Sequence, residues 1–178
     1  IKNGASKELV KRIRAEKDKE KLNKLKQNLP AICFSGKFSK RTDNSLMHHS
    51  GLICLDFDGY EKNRDMLQEK ERMSKNKYVY SVFISPSGKG LKVLVRIPSI
   101  PENHKSYFNS LEKHFGSDYF DKTCKNLSRV CYESYDPLLH INENASMWDK
   151  LEEKEYTEVI KGVDMQTIPI TDENTCKW

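Results

Sequence analysis

The spacing of apolar and polar positions predicts three helices and five strands. Leu22, Leu25 and Leu29 recur at helical spacing in a stretch rich in lysine and glutamate, and Pro30 ends this pattern. These positions predict an exposed amphipathic helix near the start of the chain. The predicted helices cover residues 6–29, 61–76 and 101–115, and the predicted strands cover residues 31–34, 52–58, 77–85, 91–98 and 127–132.

Two of the predicted strands form a hairpin. Strands 77–85 and 91–98 are separated only by Pro86-Ser87-Gly88-Lys89-Gly90. A connection this short joins antiparallel neighbours, because parallel strands need a long crossover. The segment between strands 31–34 and 52–58 is a basic polar loop. Since helices and strands alternate in mixed order, the predicted fold class is α+β.

Composition argues against a membrane-spanning protein and against a zinc protein. The chain has 178 residues, 32% of them charged, with a net charge of +5 that permits a polyanionic partner without requiring one. Its longest apolar run, residues 52–55, is far shorter than the roughly 18 residues of a membrane span, and no leader opens the chain. Five cysteines form no CxxC pair, which argues against a zinc site. We expect a cytoplasmic protein without a membrane partner.

The ends of the chain predict a fragment of a longer protein, because it begins with Ile1 and stops after a weakly patterned polar stretch. The expected organisation is a charged helix over residues 1–30, a catalytic core over 31–147, and a tail or linker over 148–178.

Two carboxylates form the most informative motif. Asp56 and Asp58 end a hydrophobic strand at positions i and i+2, so both point to one face, roughly 6.6 Å apart. Like charges held this way repel unless a cation lies between them, and hard oxygen ligands suit Mg²⁺ or Mn²⁺. The alternative is a structural turn, since Asp-x-Asp-Gly is common at strand ends. The pair favours a metal site.

The hairpin tip has the chemistry of a phosphate site. Ser85, Ser87, Lys89 and Lys92 surround two glycines, so the tip offers hydroxyl, backbone N–H and ammonium donors. The spacing does not fit a Walker A loop, and a strand rather than a helix follows. The alternative is a plain glycine-rich turn.

Further candidate residues lie on both sides of these motifs. Asp121 and Arg129 would supply a third acidic ligand and a guanidinium for a triphosphate, although either alone is also typical of a protein surface. His49 lies shortly before the strand of Asp56 and is a candidate nucleotide contact. The loop residues expected to meet a nucleic-acid backbone or a nucleotide are Lys37, Lys40 and Arg41.

Taken together, these motifs resemble the archaeo-eukaryotic primase superfamily. Its Asp-x-Asp strand end resembles Asp56-Phe57-Asp58, its Ser-x-His strand element resembles the hairpin around residues 87–92, and its hydrophobic-Asp motif resembles Phe120-Asp121. Residues 49–58, 83–93 and 128–137 are most similar to the primase-like domain of phage and Bacteroides-type mobile elements, often placed before a VirE-like helicase. The similarity extends over roughly residues 31–142 and leaves the first helix and the tail unexplained.

The resemblance implies a template-dependent nucleotidyltransferase, a DNA primase or primase-polymerase acting on single-stranded DNA. It implies two α/β lobes, one similar to an RNA-recognition fold, with the active site between them. Asp56, Asp58 and Asp121 would hold two Mg²⁺ or Mn²⁺ ions. The implied nucleotide-binding residues are Arg41, His49, Ser85, Ser87, Lys89, Lys92 and Arg129, and Lys37 and Lys40 would bind the template. Nucleoside triphosphates and a helicase domain or subunit are the other implied partners.

One departure from the superfamily pattern concerns its phosphate-binding histidine, which is Lys92 here. Lysine keeps a positive donor but loses the ring that titrates near neutral pH. The change leaves open a non-catalytic nucleic-acid-binding module with a degenerate primase fold. A haloacid-dehalogenase-type phosphatase is the weaker rival, because that fold needs parallel strands with long crossovers.

Overall fold

The computed structural model describes residues 1–152. The helices are α1 (Lys7–Ala15), α2 (Lys19–Lys26), α3 (Asn63–Ser74) and α4 (His104–Phe115). The strands are β1 (Ala31–Ile32), β2 (Gly36–Phe38), β3 (Leu46–His49), β4 (Leu52–Asp58), β5 (Val79–Ile84), β6 (Gly90–Arg96), β7 (Cys131–Tyr132) and β8 (His140–Ile141). Helices and small antiparallel sheets are mixed along the chain, so the predicted α+β class is confirmed.

The main sheet has four antiparallel strands in the order β4-β6-β5-β8. Strands β5 and β6 form the predicted hairpin, closed by a hydrogen bond from the backbone N–H of Ser85 to the carbonyl of Gly90 at 2.8 Å. Strand β4 pairs with β6 along its whole length, from Leu52 opposite Arg96 to Asp58 opposite Gly90. The two-residue period of a strand then assigns each side chain to one face.

One face of the main sheet carries the hydrophobic core. The buried side chains of this face and of helices α3 and α4 form one cluster that includes Ile53, Leu55, Phe57, Met66, Met73, Val93, Phe108 and Leu111. Because apolar side chains alternate along β4 and β6, the intervening positions, Asp56, Asp58 and Lys92, lie on the opposite face. Next to them a smaller cluster joins Cys54 and Leu94 to Cys131 of β7.

The predicted continuous helix over residues 6–29 is wrong, because the chain forms two helices there. Helix α1 ends at Ala15, and α2 begins after Asp18. Asp18 is the N-cap of α2, because its side chain accepts hydrogen bonds from the backbone N–H groups of Glu20 and Lys21. The expected exposure is also wrong for α1, since Val10 and Ile13 are fully buried. The helices pack against each other through these residues and the predicted leucines, Leu22, Leu25 and Leu29.

Two further predictions need correction. The basic loop over residues 35–51 contains the β2–β3 hairpin, whose exposed Lys37 and His48 pair with each other and give no apolar signal. The strand predicted over 127–132 is limited to β7, which pairs with the two residues of β1. The β2–β3 pairing involves polar residues, and the β1–β7 pairing joins residues far apart in sequence. Neither produces an alternation of apolar and polar residues from which a strand can be predicted.

The C-terminal part of the described chain packs on the core. Trp148, in the predicted tail, is buried, and its indole N–H donates to Ser110 Oγ at 2.8 Å. Residues 153–178 of that tail lie outside the described residues, and the domain boundaries stay predictions. Within residues 1–152 no helix is both long and apolar enough to cross a membrane.

Candidate active site

The end of β4 brings together two of the three predicted aspartates, Asp56 and Asp121, and Asp58 lies two residues further along the same strand. On one side β4 pairs with β6, which places Asp56 opposite Lys92. On its other side, residues 119–121 run along β4, with backbone hydrogen bonds from Asp121 N to Asp56 O at 2.9 Å and from Asp58 N to Tyr119 O at 2.8 Å. This pairing brings Asp121 beside Asp56 although 64 residues separate them in the sequence.

A cavity of about 320 Å³ opens over these residues and is called here the central cavity. The residues that line it are Asn23, Lys26, Arg41, Asp56, Asp58, Ser85, Pro86, Ser87, Lys92, Arg129, Val130 and Tyr132. The structure therefore unites two of the predicted aspartates with five of the predicted nucleotide-binding residues. Lys37, Lys40, His49, Lys89 and Asp121 do not line it.

Asp56 is buried at the base of the central cavity and is surrounded by donors. Its Oδ2 atom lies 2.5 Å from the ammonium of Lys92, 3.4 Å from the guanidinium of Arg129, and 3.3 Å from Sγ of Cys124. Burial by itself would lower the pKa of Lys92, but the Asp56 carboxylate outweighs it and holds that pKa above its ordinary value. Lys92 is therefore charged at neutral pH.

Asp121 is held by its own loop. Its Oδ1 accepts hydrogen bonds from the N–H and hydroxyl groups of Thr123, and its Oδ2 accepts one from Cys124 Sγ at 2.8 Å. Burial raises the pKa of Asp121, but the bonds from Cys124 and Thr123 prevail and lower it. Oxygen atoms of Asp56 and Asp121 and the sulfur of Cys124 lie within 4.8 Å of one another.

Cys124 was missed by the sequence analysis. It lies between Asp56 and Asp121 and donates to both carboxylates. Burial and the charge of Asp56 raise the pKa of its thiol, so the proton that makes these contacts is retained. No local pattern marks this cysteine, because its role depends on the contact between its loop and β4.

Asp58 differs from the other two aspartates. Its side chain is exposed to the central cavity, and no hydrogen bond or ion pair to its carboxylate is found within residues 1–152. A Cβ atom at Gly90 would lie 2.2 Å from Asp58 Oδ1 and 2.7 Å from the backbone oxygen of Phe57, so a larger residue would displace the carboxylate and press on β4. Although its side chain is accessible from the cavity, partial desolvation by the surrounding protein raises the pKa of Asp58. The Lys92 charge opposes this effect, and the negative charges of Asp56 and Asp121 reinforce it.

Some carboxylate oxygens of this site are free to bind a cation, although Asp58 lies outside the Asp56, Asp121 and Cys124 cluster. The three contacts to Asp56 all fall on Oδ2, which leaves Oδ1 and both oxygens of Asp58 for a ligand on the same face of β4. An unpartnered carboxylate beside a second acid is stabilised when a cation neutralises it, and oxygen donors suit Mg²⁺ or Mn²⁺. The Asp56, Asp121 and Cys124 cluster alone does not identify a metal.

The hairpin tip forms one wall of the central cavity. Ser85 and Ser87 turn inward, with their hydroxyl oxygens 3.0 Å apart, and Gly88 adopts a φ of 74° that closes the turn. Lys89 follows Gly88 and is exposed outside the cavity. The tip therefore presents hydroxyl groups to the cavity, whereas the predicted contribution of Lys89 would require a ligand extending beyond it.

Arg129 enters the cavity from a loop that is fixed by a residue the sequence analysis did not select. Asp43 accepts hydrogen bonds from the backbone N–H of Ser128 at 2.8 Å and from its hydroxyl at 2.7 Å. The next residue, Arg129, directs one terminal nitrogen to Asp56, while its Nε is buried without a hydrogen-bond partner among the described residues. Arg129 lines the cavity, where a guanidinium can form charge-assisted hydrogen bonds with an anionic ligand.

His49 lies away from the central cavity. It is buried in β3, where its Nε2 is 3.2 Å from Nδ1 of His104 and its Nδ1 accepts a hydrogen bond from Gly51 N. The structure does not bring it to the predicted nucleotide contact. Lys40 lines a neighbouring cavity of about 460 Å³ that shares Arg41, Val130 and Tyr132 with the central cavity, and Lys37 is exposed on β2.

The buried histidine pair makes the fold sensitive to acid. Burial, followed by the proximity of His49, lowers the pKa of His104 from 6.5 to about 4. Because His104 binds a proton more tightly in the unfolded chain than in the folded protein, the free energy of unfolding is highest above pH 6.5. It decreases as the pH falls towards 4. We expect this residue alone to lower the free energy of unfolding by about 2 kcal/mol between pH 7.5 and pH 5.

Urea unfolding at the two pH values measures this effect. His104→Gln should reduce the loss of stability on acidification by most of that amount. His48→Gln changes an exposed histidine of β3 and should leave the loss of stability unchanged. Equal pH dependence of the wild type and His104→Gln would show that the pair does not titrate in this range.

The charges of the central cavity favour an anion. Lys26, Arg41, Lys92 and Arg129 line it together with only two carboxylates, and one of these is already paired with Lys92. Asn23 and Lys26 come from α2, which the sequence predicted only as a solvated helix. Excess positive charge around serine hydroxyls is the arrangement that binds phosphate groups.

Comparison with protein families identifies the domain that covers most of the chain. The sequence pattern of the family described as BT4734-like, N-terminal domain, matches residues 24–140. The chain belongs to this family. No curated protein and no solved structure matches it. The matched part of this BT4734-like domain contains all three aspartates, Lys92 and Arg129, whereas α1 precedes it.

Proposed function

We propose that this BT4734-like domain is a template-dependent nucleotidyltransferase, a DNA primase or primase-polymerase that uses nucleoside triphosphates on single-stranded DNA. The observation that carries the proposal is the central cavity, in which Asp56 and Asp58 of β4 share one face of the main sheet with Lys92 of β6, beside Asp121 and Arg129. Acidic oxygens next to an excess of cations suit the joint binding of divalent cations and a polyphosphate.

The chain order of the main sheet supports the primase resemblance. Helix α3 lies between β4 and β5, α4 follows β6, the strand order is β4-β6-β5, and Phe120 pairs with the outer edge of β4. An RNA-recognition-type lobe has the order βαββαβ, and its last strand lies beside its first. Here the segment around Phe120 takes the place of that last strand. The short pairs β1–β7 and β2–β3 supply residues on the cavity side and would represent the second lobe.

In this proposal the carboxylates of Asp56, Asp58 and Asp121 hold Mg²⁺ or Mn²⁺, which when bound lower the pKa of the attacking 3′-hydroxyl and stabilise the leaving pyrophosphate. Lys92 and Arg129 orient the triphosphate. Ser85 and Ser87 donate hydroxyl hydrogen bonds to its oxygens from the hairpin tip. Tyr132 and Val130 form an apolar wall beside the charged groups, where the nucleoside would lie.

Lys92 has two roles that compete. In the structure its ammonium pairs with Asp56, and in the proposal it also contacts phosphate. A bound triphosphate and cation would share these charges, so Lys92 exchanges a carboxylate oxygen for a phosphate oxygen of similar chemistry. Lysine preserves the positive charge of the superfamily histidine but removes its use in proton transfer near neutral pH.

The non-catalytic module is the second candidate, and the contacts of Asp56 favour it. Lys92, Arg129 and Cys124 already satisfy one oxygen of this acid, so its charge is balanced in the protein itself. A phosphatase of the haloacid-dehalogenase type is not supported, because β4 is antiparallel to β6 and the candidate serine and lysine lie on one tight hairpin.

Templated synthesis tests the proposal. Supplied with single-stranded DNA, Mn²⁺ or Mg²⁺ and one labelled nucleotide, the protein should incorporate label only when the template carries the complementary base. Binding to the template should weaken steeply as salt increases, because contacts to the backbone release counterions. Incorporation that ignores the template base would indicate a terminal transferase, and DNA binding without incorporation would favour the non-catalytic module.

A further inference from the structure

Helix α2 reaches the central cavity from outside the main sheet. Asn23 and Lys26 are three residues apart, so they share one side of the helix, and both line the cavity. The neighbouring side of α2 carries Leu22 and Leu25, which pack against the cluster formed by Val10 and Ile13 of α1. This apolar contact fixes the helix and holds the amide and the ammonium over the cavity.

A second contact ties the N-terminal helices to the hairpin tip. Arg14 of α1 donates hydrogen bonds to the carbonyls of Ser85 at 3.3 Å and Tyr135 at 2.8 Å. Its stem covers Gly88, where an added Cβ would lie 3.2 Å from two carbon atoms of Arg14. The helix pair and the phosphate-binding hairpin are therefore held as neighbours, with the central cavity between α2 and the serines.

Lys26 is a cation without an acidic partner. Its side chain is half-buried, and no carboxylate within residues 1–152 lies at ion-pair distance from it, whereas Lys92 and Arg129 are both beside Asp56. Partial burial lowers the pKa of Lys26, an effect that the Asp58 charge opposes and the Lys92 charge reinforces. An additional phosphate would supply the missing negative charge.

From this placement we propose that Lys26, assisted by Asn23, binds the distal phosphates of the nucleotide, so that α2 determines the preference for a triphosphate over a monophosphate. The inference rests on the proposed function, because it assigns the end of the same ligand. A monophosphate held at Arg129 and Lys92 leaves Lys26 without a partner. A triphosphate carries the further charge that Lys26 can neutralise through a charge-assisted hydrogen bond.

Calorimetric titration with Mg²⁺ and inorganic tripolyphosphate, a nucleoside triphosphate or a nucleoside monophosphate tests the assignment. Lys26→Ala should weaken the binding of tripolyphosphate and of the triphosphate by about 10-fold or more, the usual effect of removing one charge-assisted hydrogen bond. Binding of the monophosphate should change less than about 2-fold, since it makes no such bond. Lys26→Arg should keep most of the affinity.

Lys24→Ala is the matched control, because Lys24 lies on the same helix, is exposed and does not line the cavity. It removes the same charge and should leave all three affinities unchanged. Thermal melting shows whether each variant is folded, and Lys26→Gln replaces Lys26→Ala if the latter melts early. Equal weakening by the Lys24 and Lys26 variants would overturn the assignment in favour of a general charge effect.

The outcomes separate this inference from the proposed function. If the wild type carries out templated synthesis and Lys26→Ala binds tripolyphosphate as tightly as the wild type, the inference is wrong and the function stands. If Lys26→Ala selectively loses tripolyphosphate affinity but the wild type incorporates no nucleotide, the phosphate site stands and the polymerase proposal fails. A wild type that binds no tripolyphosphate overturns the inference directly.

Discussion

Asp58→Asn is expected to abolish nucleotide incorporation without unfolding the protein. The carboxylate has no partner within the described residues and faces the cavity, so its loss removes a cation ligand rather than a structural contact. Since a bound metal contributes several kcal/mol to the transition state, we expect incorporation to fall by about 10³-fold or more. Primer extension with Mn²⁺ measures this loss, and urea unfolding measures stability in parallel.

The sign of the stability change follows from the pKa of Asp58. Burial and its acidic neighbours raise that pKa, so the unfolded chain releases the proton more readily than the folded protein does. The ionised carboxylate therefore lowers the free energy of unfolding once the pH exceeds the pKa of the unfolded chain, about 4. A neutral asparagine of the same shape removes this cost, and we expect a melting temperature equal to or above that of the wild type.

Asp56→Ala provides the contrast. The Lys92 side chain is only 13% exposed, and removal of Asp56 leaves its ammonium without the carboxylate 2.5 Å away. An uncompensated buried charge destabilises a protein, so this variant should melt clearly below both the wild type and Asp58→Asn. If Asp58→Asn melts as low as Asp56→Ala, or retains full incorporation, Asp58 is structural and the proposed cation site is wrong.

Lys70→Met is expected to destabilise the fold by about 3–5 kcal/mol, the usual cost of breaking a buried ion pair on one side. The ammonium of Lys70 donates to Asp136 Oδ2 at 2.6 Å and to the carbonyl of Leu138 at 2.7 Å, and both charged side chains are buried. Asp136 also accepts the backbone N–H of Ile84. The pair therefore joins α3 to the end of β5, immediately before the hairpin tip.

The control for this prediction is Lys75→Met, at the C-cap of the same helix. Lys75 pairs with Glu71 at 2.7 Å, but both side chains are mostly exposed, so its removal should cost less than about 1 kcal/mol. Urea unfolding of both variants gives the comparison. A double change, Lys70→Met with Asp136→Asn, should recover part of the loss because no buried charge remains unpaired. Equal effects of the two lysine changes would contradict the structural role of the buried pair.

Local pattern was sufficient to predict the carboxylate strand and the hairpin. The pairing of β4 with β6, which brings Lys92 opposite Asp56, was not part of that prediction. Alternation along β4 places Asp56 and Asp58 on one face of their strand, and the short turn before Gly90 predicts antiparallel pairing of β5 with β6. These features depend on residues close together in sequence. The same holds for the end of α4, where Gly116 adopts the left-handed conformation that terminates the helix.

Residues whose position depends on contact between distant segments were predicted incompletely or not at all. Asp121 was selected, but its approach to Asp56 comes from the pairing of residues 119–121 with β4, and no sequence pattern marked Cys124 between them. His49 was assigned to the nucleotide on proximity along the chain, yet strand β3 turns it towards His104. Sequence distance does not report the direction in which a side chain points.

The sequence by itself determined the α+β class, the face that carries the acids and the positions of most strands, because the periods of helix and strand are written in consecutive residues. Tertiary structure alone decided that Asp43 fixes the Arg129 loop, that Asp136 is buried against Lys70, and that α2 brings Lys26 to the central cavity. In each case the residues that come together lie tens of residues apart in the sequence, and the packing of whole elements, rather than any local preference, makes them neighbours.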